Sequence, residues 1–335
     1  MSRINIIDFK EGDAISGIYV LANHAIKQTK TGSDFVSISI KDKTGTIPGN
    51  MWSVPSNISD FKDGDLIYVT GTVSSYQNAL QFKFTSIDTV LAESVSLEDK
   101  KALVPMIEDS PEELYAYLMD SVTSIKDESL RNLGKTILDA IKDKFMVYPA
   151  SKTVHHSEIG GLLLHSTEVV KYIKAIHEVT PWFDVDITVI AGLLHDFAKL
   201  REFSLASTGL VSDYSRDGIL LGHIFMGADE IGMYCKKCNV DKEKTVLLQH
   251  MILSHHGEPE FGSPIRPLTM EAFVLHMADD LSAKMHVYKD AVADIEPGSF
   301  SDKMFALDGS RIYKPVYCNN DEPTISLFDF DKESF

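Results

Sequence analysis

The sequence is poor in cysteine, in long apolar runs and in positive charge. Three cysteines among 335 residues cannot form the disulfide framework of a small secreted protein. No apolar run approaches the roughly 20 residues that a membrane-spanning helix needs. The residues that follow Met1 also lack the apolar core of a signal peptide. We therefore expect a cytoplasmic globular protein without a membrane partner, and its length predicts two domains.

Acidic residues outnumber basic ones, with 49 Asp and Glu against 32 Lys and Arg and a formal net charge of −17. Such a charge argues against broad, nonspecific binding to nucleic acid. The excess is uneven, because residues 1–90 contain eight basic and nine acidic side chains. Any contact with nucleic acid should therefore be local, and a divalent cation or a small basic groove must offset the repulsion there.

Residues 1–90 are predicted to form an all-β domain. Five segments show the apolar alternation or β-branched composition of short strands. These segments are 14–21, 34–41, 47–52, 65–73 and 80–87. Turn signals such as Asp63-Gly64 lie between them. Five short strands with a gap between the third and the fourth resemble an OB-fold barrel, a module that often binds nucleic acid.

Aromatic and basic side chains of this domain are candidates for a nucleic-acid interface. Single-stranded nucleic acid is held by aromatic faces that stack on bases and by positive charges near phosphates. The candidates are Phe35, Trp52, Tyr76, Phe82 and Lys83. The alternative is that the aromatic residues form the barrel core. This alternative applies more to Phe35 and Phe82 than to Trp52 and Tyr76, which lie near turn signals.

Residues 91–110 are interpreted as a polar, charged linker, and the helical pattern after it defines a second domain over 111–299. Ser110-Pro111 followed by two glutamates is typical of a helix start, and apolar residues then recur at helical spacing. We interpret 300–335 as an irregular C-terminal tail whose role stays open.

In the second domain, histidines and aspartates stand inside otherwise apolar segments. One is a helix predicted from Ile187 to Lys199, which contains the adjacent pair His195 and Asp196. Burying such groups without partners costs several kcal/mol each. The same pattern recurs at His165, His223, His250, His255, His256, His276, Asp279 and Asp280. One lone histidine is more often a core residue than a ligand, but a shared metal centre would satisfy the whole set. Imidazole and carboxylate without thiolate suit Mn²⁺, Fe²⁺, Mg²⁺ or Zn²⁺.

These positions carry a resemblance to a known family. His165, His195-Asp196 and Ala278-Asp279 match the H…HD…D pattern of the HD superfamily of metal-dependent phosphohydrolases. An OB-like module followed by such a domain resembles the YhaM-type 3′→5′ exoribonucleases, as does the segment from Val154 to His165. The resemblance implies a multidomain fold, an N-terminal all-β OB-fold barrel followed by an all-α HD-type helical domain.

The resemblance also implies two divalent cations, with Mn²⁺ as the first choice. Their ligands divide into two sets that share Asp196. The first set would be His165, His195, Asp196 and Asp279, and the second would be Asp196, His223 and either His255 or His256. Asp280 competes with Asp279, whereas His250 and His276 are assigned to packing or to support of the ligands.

Three further roles follow from a two-cation mechanism. Asp196 would bridge the cations, and Lys199 would stabilise charge on the transferring phosphate or form a plain salt bridge. His155 or His156 would contact the substrate or protonate the leaving oxygen, with a structural role in the loop as the alternative.

The implied activity is 3′→5′ degradation of single-stranded RNA to nucleoside monophosphates, with single-stranded DNA as a second polymer to consider. Two alternatives stay open. One is a phosphohydrolase acting on a nucleotide or a cyclic dinucleotide, and the other is a non-catalytic OB-type nucleic-acid-binding protein. Whether the chain forms a homo-oligomer also stays open.

Overall fold

The computed structural model describes residues 4–29, 31–77, 79–91, 94–152, 156–293 and 295–316. They divide into two compact units. The first contains the described residues up to Met106 together with Ser204–Asp213, and the second contains Ile107–Phe203 and the described residues from Tyr214 onward.

The first unit contains a closed barrel of five strands. The strands are β1 (Ala14–Gln28), β2 (Asp34–Asp42), β3 (Gly45–Met51), β4 (Leu66–Tyr76) and β5 (Ala79–Thr89). Their order is β1-β2-β3-β5-β4, and β4 pairs with β1 to close the barrel. Every pairing is antiparallel except that of β3 with β5. The predicted five-stranded OB-type barrel is therefore confirmed.

The barrel core follows from the two-residue period of its strands. On β2, Val36, Ile38 and Ile40 are fully buried and alternate with half-buried serines. On β5, Phe82 is fully buried, and its ring centroid lies 4.6 Å from that of Phe84. Phe82 therefore faces the core and offers no surface to a base, so the expected stacking role is wrong for this residue. The next side chain along the strand, Lys83, is exposed.

The predicted linker, residues 91–110, contains a helix. This helix, α1 (Leu97–Leu103), begins after Ser96, whose side chain accepts a hydrogen bond from the amide of Asp99. Leu103 and Val104 are each only 2% exposed. The segment is therefore packed at its apolar end, although its composition is mostly polar.

The remaining helices are α2 (Pro111–Thr123), α3 (Glu128–Phe145), α4 (Gly161–Val179), α5 (Val185–Leu194), α6 (Lys199–Glu202), α7 (Arg216–Lys237), α8 (Lys242–Ser254) and α9 (Met270–Ala293). The predicted helix start is confirmed, because the Ser110 side chain accepts a hydrogen bond from the amide of Glu113. The structure adds a hairpin of β6 (Phe203–Leu205) and β7 (Val211–Tyr214), which the pattern did not predict. Within the described part of the chain, every helix is too short or too polar to cross a bilayer.

The predicted helix from Ile187 to Lys199 ends early. α5 ends at Leu194, and a turn over 195–198 precedes α6. The cause is His195, whose Nδ1 donates a hydrogen bond to the carbonyl oxygen of Gly192 at 2.8 Å. In a continuous α-helix, this oxygen would accept the amide of Asp196. The expectation of one continuous helix was therefore wrong, and the turn places the His-Asp pair at the end of α5.

The predicted tail is described only as far as Val316. Within 300–316, Phe300 pairs with Tyr313 and Met304 pairs with Ser310, each as an isolated antiparallel bridge. Residues 317–335, which include the acidic and aromatic end of the sequence, lie outside the described residues.

Asp127 should contribute measurably to the stability of the helical unit. Its carboxylate binds the Lys244 ammonium of α8 and accepts a hydrogen bond from the Leu130 amide at the start of α3. The hydrogen bond from Lys244 holds the pKa of Asp127 well below its usual range. We expect Asp127→Ala to lower the free energy of unfolding by about 1–2 kcal/mol, measured by urea denaturation at pH 7.

The pH dependence of this effect provides a second check. Because the folded-state pKa of Asp127 is depressed, its contribution is present above the unfolded pKa of about 4 and is lost as pH falls towards the folded value. The difference between wild type and variant should therefore shrink on acidification. Asp120→Ala, at an exposed site on α2, is the control. An equal loss in both variants would contradict the assignment.

Candidate metal centre

The seven predicted metal ligands lie together in the helical unit. They come from three helices and from the turns that follow two others. They are His165 on α4, His195 and Asp196 after α5, His223 on α7, His255 and His256 after α8, and Asp279 on α9. Residues separated by more than a hundred positions are thus brought into two adjacent clusters.

The first cluster consists of His165, His195 and Asp279. The Nε2 atoms of the two histidines lie 3.1 Å apart. Oδ1 of Asp279 lies 3.1 Å from Nε2 of His165 and 3.6 Å from Nε2 of His195. Three donor atoms of the types that bind divalent cations therefore face one point.

The second cluster consists of Asp196, His223, His255 and His256. Oδ1 of Asp196 lies 3.4 Å from Nε2 of His223 and 3.7 Å from Nε2 of His255. Candidate ligand atoms of all four residues lie within 4.8 Å of one another. His255 and His256 therefore both belong to the cluster, although the sequence presented them as alternatives.

Asp196 lies between the two clusters. Its Oδ2 is 3.5 Å from Nε2 of His165 and 3.4 Å from Nε2 of His195, whereas its Oδ1 faces the second cluster. Each carboxylate oxygen thus faces a different set of ligands. This is the geometry required of a carboxylate that bridges two cations.

All five imidazoles of the two clusters are held through Nδ1. The partners of Nδ1 are Ser282 Oγ for His165, Gly192 O for His195, Glu202 Oε1 for His223, Ile252 O for His255 and Phe261 O for His256. Such a contact fixes the orientation of the ring and directs Nε2 to the centre, as in known metal-binding histidines. His195 and His255 make the same contact. Each follows the end of a helix, and its Nδ1 bonds to the backbone carbonyl three residues earlier.

Buried polar atoms that lack partners test whether the site fits a metal. Oδ1 of Asp196 and Nε2 of His223 and His255 are buried, and they have no hydrogen-bond partner among the residues that the structure describes. Leaving such atoms unsatisfied costs about 1–3 kcal/mol each. Divalent cations would satisfy all three, and a nitrogen and oxygen donor set suits Mn²⁺, Fe²⁺, Mg²⁺ or Zn²⁺. The residues present therefore fit a metal centre.

The protonation states of three of the proposed ligands suit cation binding directly. Burial lowers the pKa of His165 to about 4 and that of His256 to about 3, so both are neutral at pH 7. Burial alone would raise the pKa of Asp196, but the Lys199 ammonium and His195 hold it well below its usual range. His195 differs, because the carboxylates of Asp196 and Asp279 outweigh its burial and raise its pKa to about 10. Its Nε2 is therefore protonated at pH 7, and a cation has to displace this proton.

Lys199 lies at the centre, as the sequence predicted. Its Nζ is 2.7 Å from Oδ2 of Asp196, and its side chain is only 10% exposed. The pair is therefore a buried ion pair on the Asp196 carboxylate and not a surface salt bridge.

The structure separates the remaining candidates. Asp280 pairs with Lys284 on α9, which leaves Asp279 as the carboxylate of the first cluster. His250 accepts the Leu268 amide, and His276 donates to the carbonyl of His255, so both support the surrounding backbone.

His156 does not join either cluster. It is 2% exposed, and its Nε2 lies 3.2 Å from the carboxylate of Glu168. This burial leaves it no surface for a substrate, so the structure does not support the expected substrate contact. His155 lies outside the described residues.

Four polar residues next to the ligands were not predicted. Glu202 binds both the backbone amide and Nδ1 of His223. Glu168, Ser282 and His286 form a hydrogen-bonded group next to His165. Glu168 and Ser282 gave a usable signal, because each follows a proposed ligand, His165 or Asp279, by three positions and so lies on the same helix face.

The nucleic-acid candidates of the barrel lie partly together. The rings of Phe35 and Trp52 have centroids 5.2 Å apart, and Trp52 is 63% exposed. Lys83 is exposed on β5, where it pairs with Asn50, two residues before Trp52. Tyr76 is exposed at the end of β4, four residues beyond Thr72, the β4 partner of Lys83. Phe35 and Trp52 thus form an outer aromatic face, and the exposed Lys83 lies on the neighbouring strand β5.

Comparison with known proteins agrees with both units. A family model described as HD domain matches residues 162–284, and one described as OB-fold nucleic acid binding domain matches 24–90. The protein named 3′-5′ exoribonuclease YhaM from Halalkalibacterium halodurans is 30% identical over 329 residues, which are 98% of this chain and all of the relative. The chain belongs to the YhaM family. The proteins of the same name from Shouchella clausii and from a Geobacillus species are 32% and 31% identical, over 91% and 93% of this chain and 95% of each relative.

Membership of the YhaM family confirms the predicted resemblance and the order of its domains. All seven proposed ligands lie within the HD match, because the first and the last of them, His165 and Asp279, fall inside residues 162–284. The aromatic face of Phe35 and Trp52 lies within the OB match.

Proposed function

We propose that the protein is a metal-dependent 3′-5′ exoribonuclease that degrades single-stranded RNA to nucleoside monophosphates. Membership of the YhaM family makes it a hydrolase of the exoribonuclease class. The observation that supports the metal-dependent mechanism is the position of Asp196, with one oxygen towards each histidine cluster. We assign RNA binding to the barrel domain, residues 1–90, and hydrolysis to the helical domain, residues 111–299.

The proposed ligands form two sites that share Asp196. His165, His195 and Asp279 complete the first, and His223, His255 and His256 complete the second. Two divalent cations held there, with Mn²⁺ as the first choice, would activate a water molecule and stabilise charge on the phosphoryl group during in-line displacement.

The protein's own groups position this chemistry. The Asp196 carboxylate holds both sites at a fixed separation, and the Nδ1 contacts keep each imidazole aimed at the centre. Lys199 places a buried positive charge 2.7 Å from Asp196, where it would stabilise negative charge on the phosphate undergoing transfer. The helical scaffold excludes bulk water from the ligands, which strengthens these interactions.

The aromatic face of the barrel supplies a second prediction. Stacking of one base on an aromatic side chain contributes about 1–3 kcal/mol, so we expect Trp52→Ala to weaken binding of single-stranded RNA by about 5- to 150-fold. The measurement is fluorescence anisotropy of labelled RNA in the presence of a chelator, which prevents cleavage. The KM for RNA should rise, whereas kcat should change little.

The sequence contains only one other tryptophan, which provides a matched control. Trp182 is 75% exposed and belongs to the helical unit. Trp182→Ala should leave RNA affinity unchanged. Equal affinities for the two variants would show that Trp52 does not contact RNA.

The activity itself is tested with single-stranded RNA and DNA of one sequence, labelled at the 5′ end and incubated with Mn²⁺. The proposal predicts a ladder of products shortened from the 3′ end on a sequencing gel. The same RNA labelled at its 3′ end should release labelled mononucleotide from the first time point. Intact polymers together with hydrolysis of a cyclic dinucleotide would favour a small-molecule phosphohydrolase, and binding without cleavage would favour a non-catalytic protein.

The finer assignments stay predictions. The DNA sample tests the preference for RNA, and size-exclusion chromatography with light scattering tests for a homo-oligomer. The cytoplasmic location expected from the sequence is tested by fractionation of cells that express the full chain.

A further inference from the structure

A third group of ionisable side chains lies beside the first metal cluster. It consists of Glu168 on α4, His286 on α9 and His156 in the segment before α4. The Glu168 side chain is 12% exposed and that of His286 is 18% exposed. The proposed hydrolysis uses none of these groups directly, so their burial next to the site needs a separate explanation.

The donor types of this group would suit a third cation, but the contacts favour hydrogen bonding. Nε2 of His286 lies 2.8 Å from Oε1 of Glu168, and Nε2 of His156 lies 3.2 Å from Oε2. Ser282 Oγ donates to Oε2 at 2.6 Å. Each contact has the length and polarity of a hydrogen bond to a carboxylate. In the second metal cluster, by contrast, Nε2 of His223 and Nε2 of His255 have no hydrogen-bond partner among the described residues.

Ser282 connects this group with a proposed metal ligand. Because its hydroxyl donates to Glu168, Ser282 Oγ is free to accept the Nδ1 proton of His165, at 3.0 Å. A proton on Nδ1 leaves the Nε2 lone pair of His165 directed at the first cluster. The bridge also joins α4, which carries His165 and Glu168, with α9, which carries Asp279 and Ser282. It therefore links the two helices that supply ligands to this cluster.

The segment before α4 is shaped to bury His156. The residue has a φ of +51°, which is uncommon for a residue other than glycine. A Cβ atom on Gly161 would lie 2.2 Å from the carbonyl oxygen of His156, so only glycine allows this close approach at the start of α4. Gly161 thus allows the backbone of His156 to lie against the start of α4.

We propose that Glu168 is a positioning residue that acts through Ser282 to hold His165 in its metal-binding orientation, with His156 and His286 fixing the carboxylate. The inference rests on the proposed two-cation centre. Loss of such an indirect contact to a metal-binding histidine lowers metal affinity by about 10- to 100-fold. The effect should be confined to the site that contains His165.

The test is a titration of the metal-free full chain with Mn²⁺, followed by the electron paramagnetic resonance signal of free Mn²⁺. Wild type should bind two ions per chain. Ser282→Ala and Glu168→Gln should each weaken one site by about 10- to 100-fold and leave the other unchanged. The double variant should bind no more weakly than the weaker single variant, because both substitutions break the same connection.

Ser121→Ala is the matched control, because Ser121, like Ser282, is a buried serine on a helix, but its hydroxyl donates to the carbonyl of Tyr117 on its own helix α2. Thermal unfolding of each variant checks its fold, and Ser282→Ala remains informative if Glu168→Gln does not fold. RNA cleavage by the variants should recover at saturating Mn²⁺, which a general structural defect would not allow.

Three results would overturn the inference in distinguishable ways. Unchanged Mn²⁺ affinity in Ser282→Ala would show that Ser282 and Glu168 do not position His165. Three ions bound to wild type, with one lost in His286→Asn, would show that the group is a cation site. Failure of wild type to bind Mn²⁺ at all would remove the two-cation centre on which the inference depends.

Discussion

Replacing Asp196 with asparagine should lower the rate of RNA cleavage by about 1,000-fold or more. Each oxygen of this carboxylate faces a different cluster, whereas an asparagine offers one oxygen and no charge. Loss of cation-based charge stabilisation costs several kcal/mol, and about 4 kcal/mol corresponds to a factor near 1,000. The measurement is single-turnover cleavage of 5′-labelled RNA by a saturating excess of enzyme with Mn²⁺.

Two companion variants make this result specific. Asp196→Asn leaves Lys199 buried without its charge partner, which destabilises the fold. The double variant Asp196→Asn with Lys199→Met removes both charges and should be folded but inactive. Asp280→Asn, next to the first cluster but paired with Lys284, should retain activity. Substantial cleavage by Asp196→Asn would contradict the bridging role.

Divalent cations should raise the unfolding temperature of the helical unit by about 10–20 °C. The buried Asp196 oxygen and the imidazole nitrogens that lack partners acquire ligand bonds only in the folded state. A ligand at 100 times its Kd contributes about 2.7 kcal/mol, so two sites contribute about 5 kcal/mol. For a domain of about 200 residues, each kcal/mol raises Tm by about 2–4 °C.

The experiment compares chelator-treated protein with and without Mn²⁺ in a calorimeter. The transition of the barrel is an internal control, since the barrel holds none of the proposed ligands. The doubly substituted chain, Asp196→Asn with Lys199→Met, should show a much smaller shift. An unchanged Tm in wild type at millimolar Mn²⁺ would contradict the metal centre.

Several parts of the site could be read from local sequence because their signal is local. A histidine or an aspartate inside an apolar helix must have a partner, and the recurrence of this pattern pointed to a shared metal centre that includes His165 and His195. The choice of Asp279 over Asp280 depended on the family resemblance. The barrel was predictable for a similar reason, because the alternation of apolar and polar side chains in a strand is visible in consecutive residues.

Other features depend on contacts that local sequence does not encode. Whether Phe82 or Lys83 faces the core depends on strand register, because a shift of one residue exchanges the two faces. The early end of α5 depends on a hydrogen bond from one side chain to a backbone carbonyl. The contact of Glu168 with Ser282 and His286 joins residues more than a hundred positions apart, so no local pattern could predict it.

The sequence by itself determined which chemical groups this protein must bury, since the periodicity of apolar residues decides which face of each helix or strand is buried on folding. Only the tertiary structure decided how those groups meet: Asp196 between two clusters, both His255 and His256 beside it, and His156 turned away from the site towards Glu168. The physical reason is that burial is a property of each segment, whereas the partner of a buried polar group is set by how helices distant in sequence pack against one another.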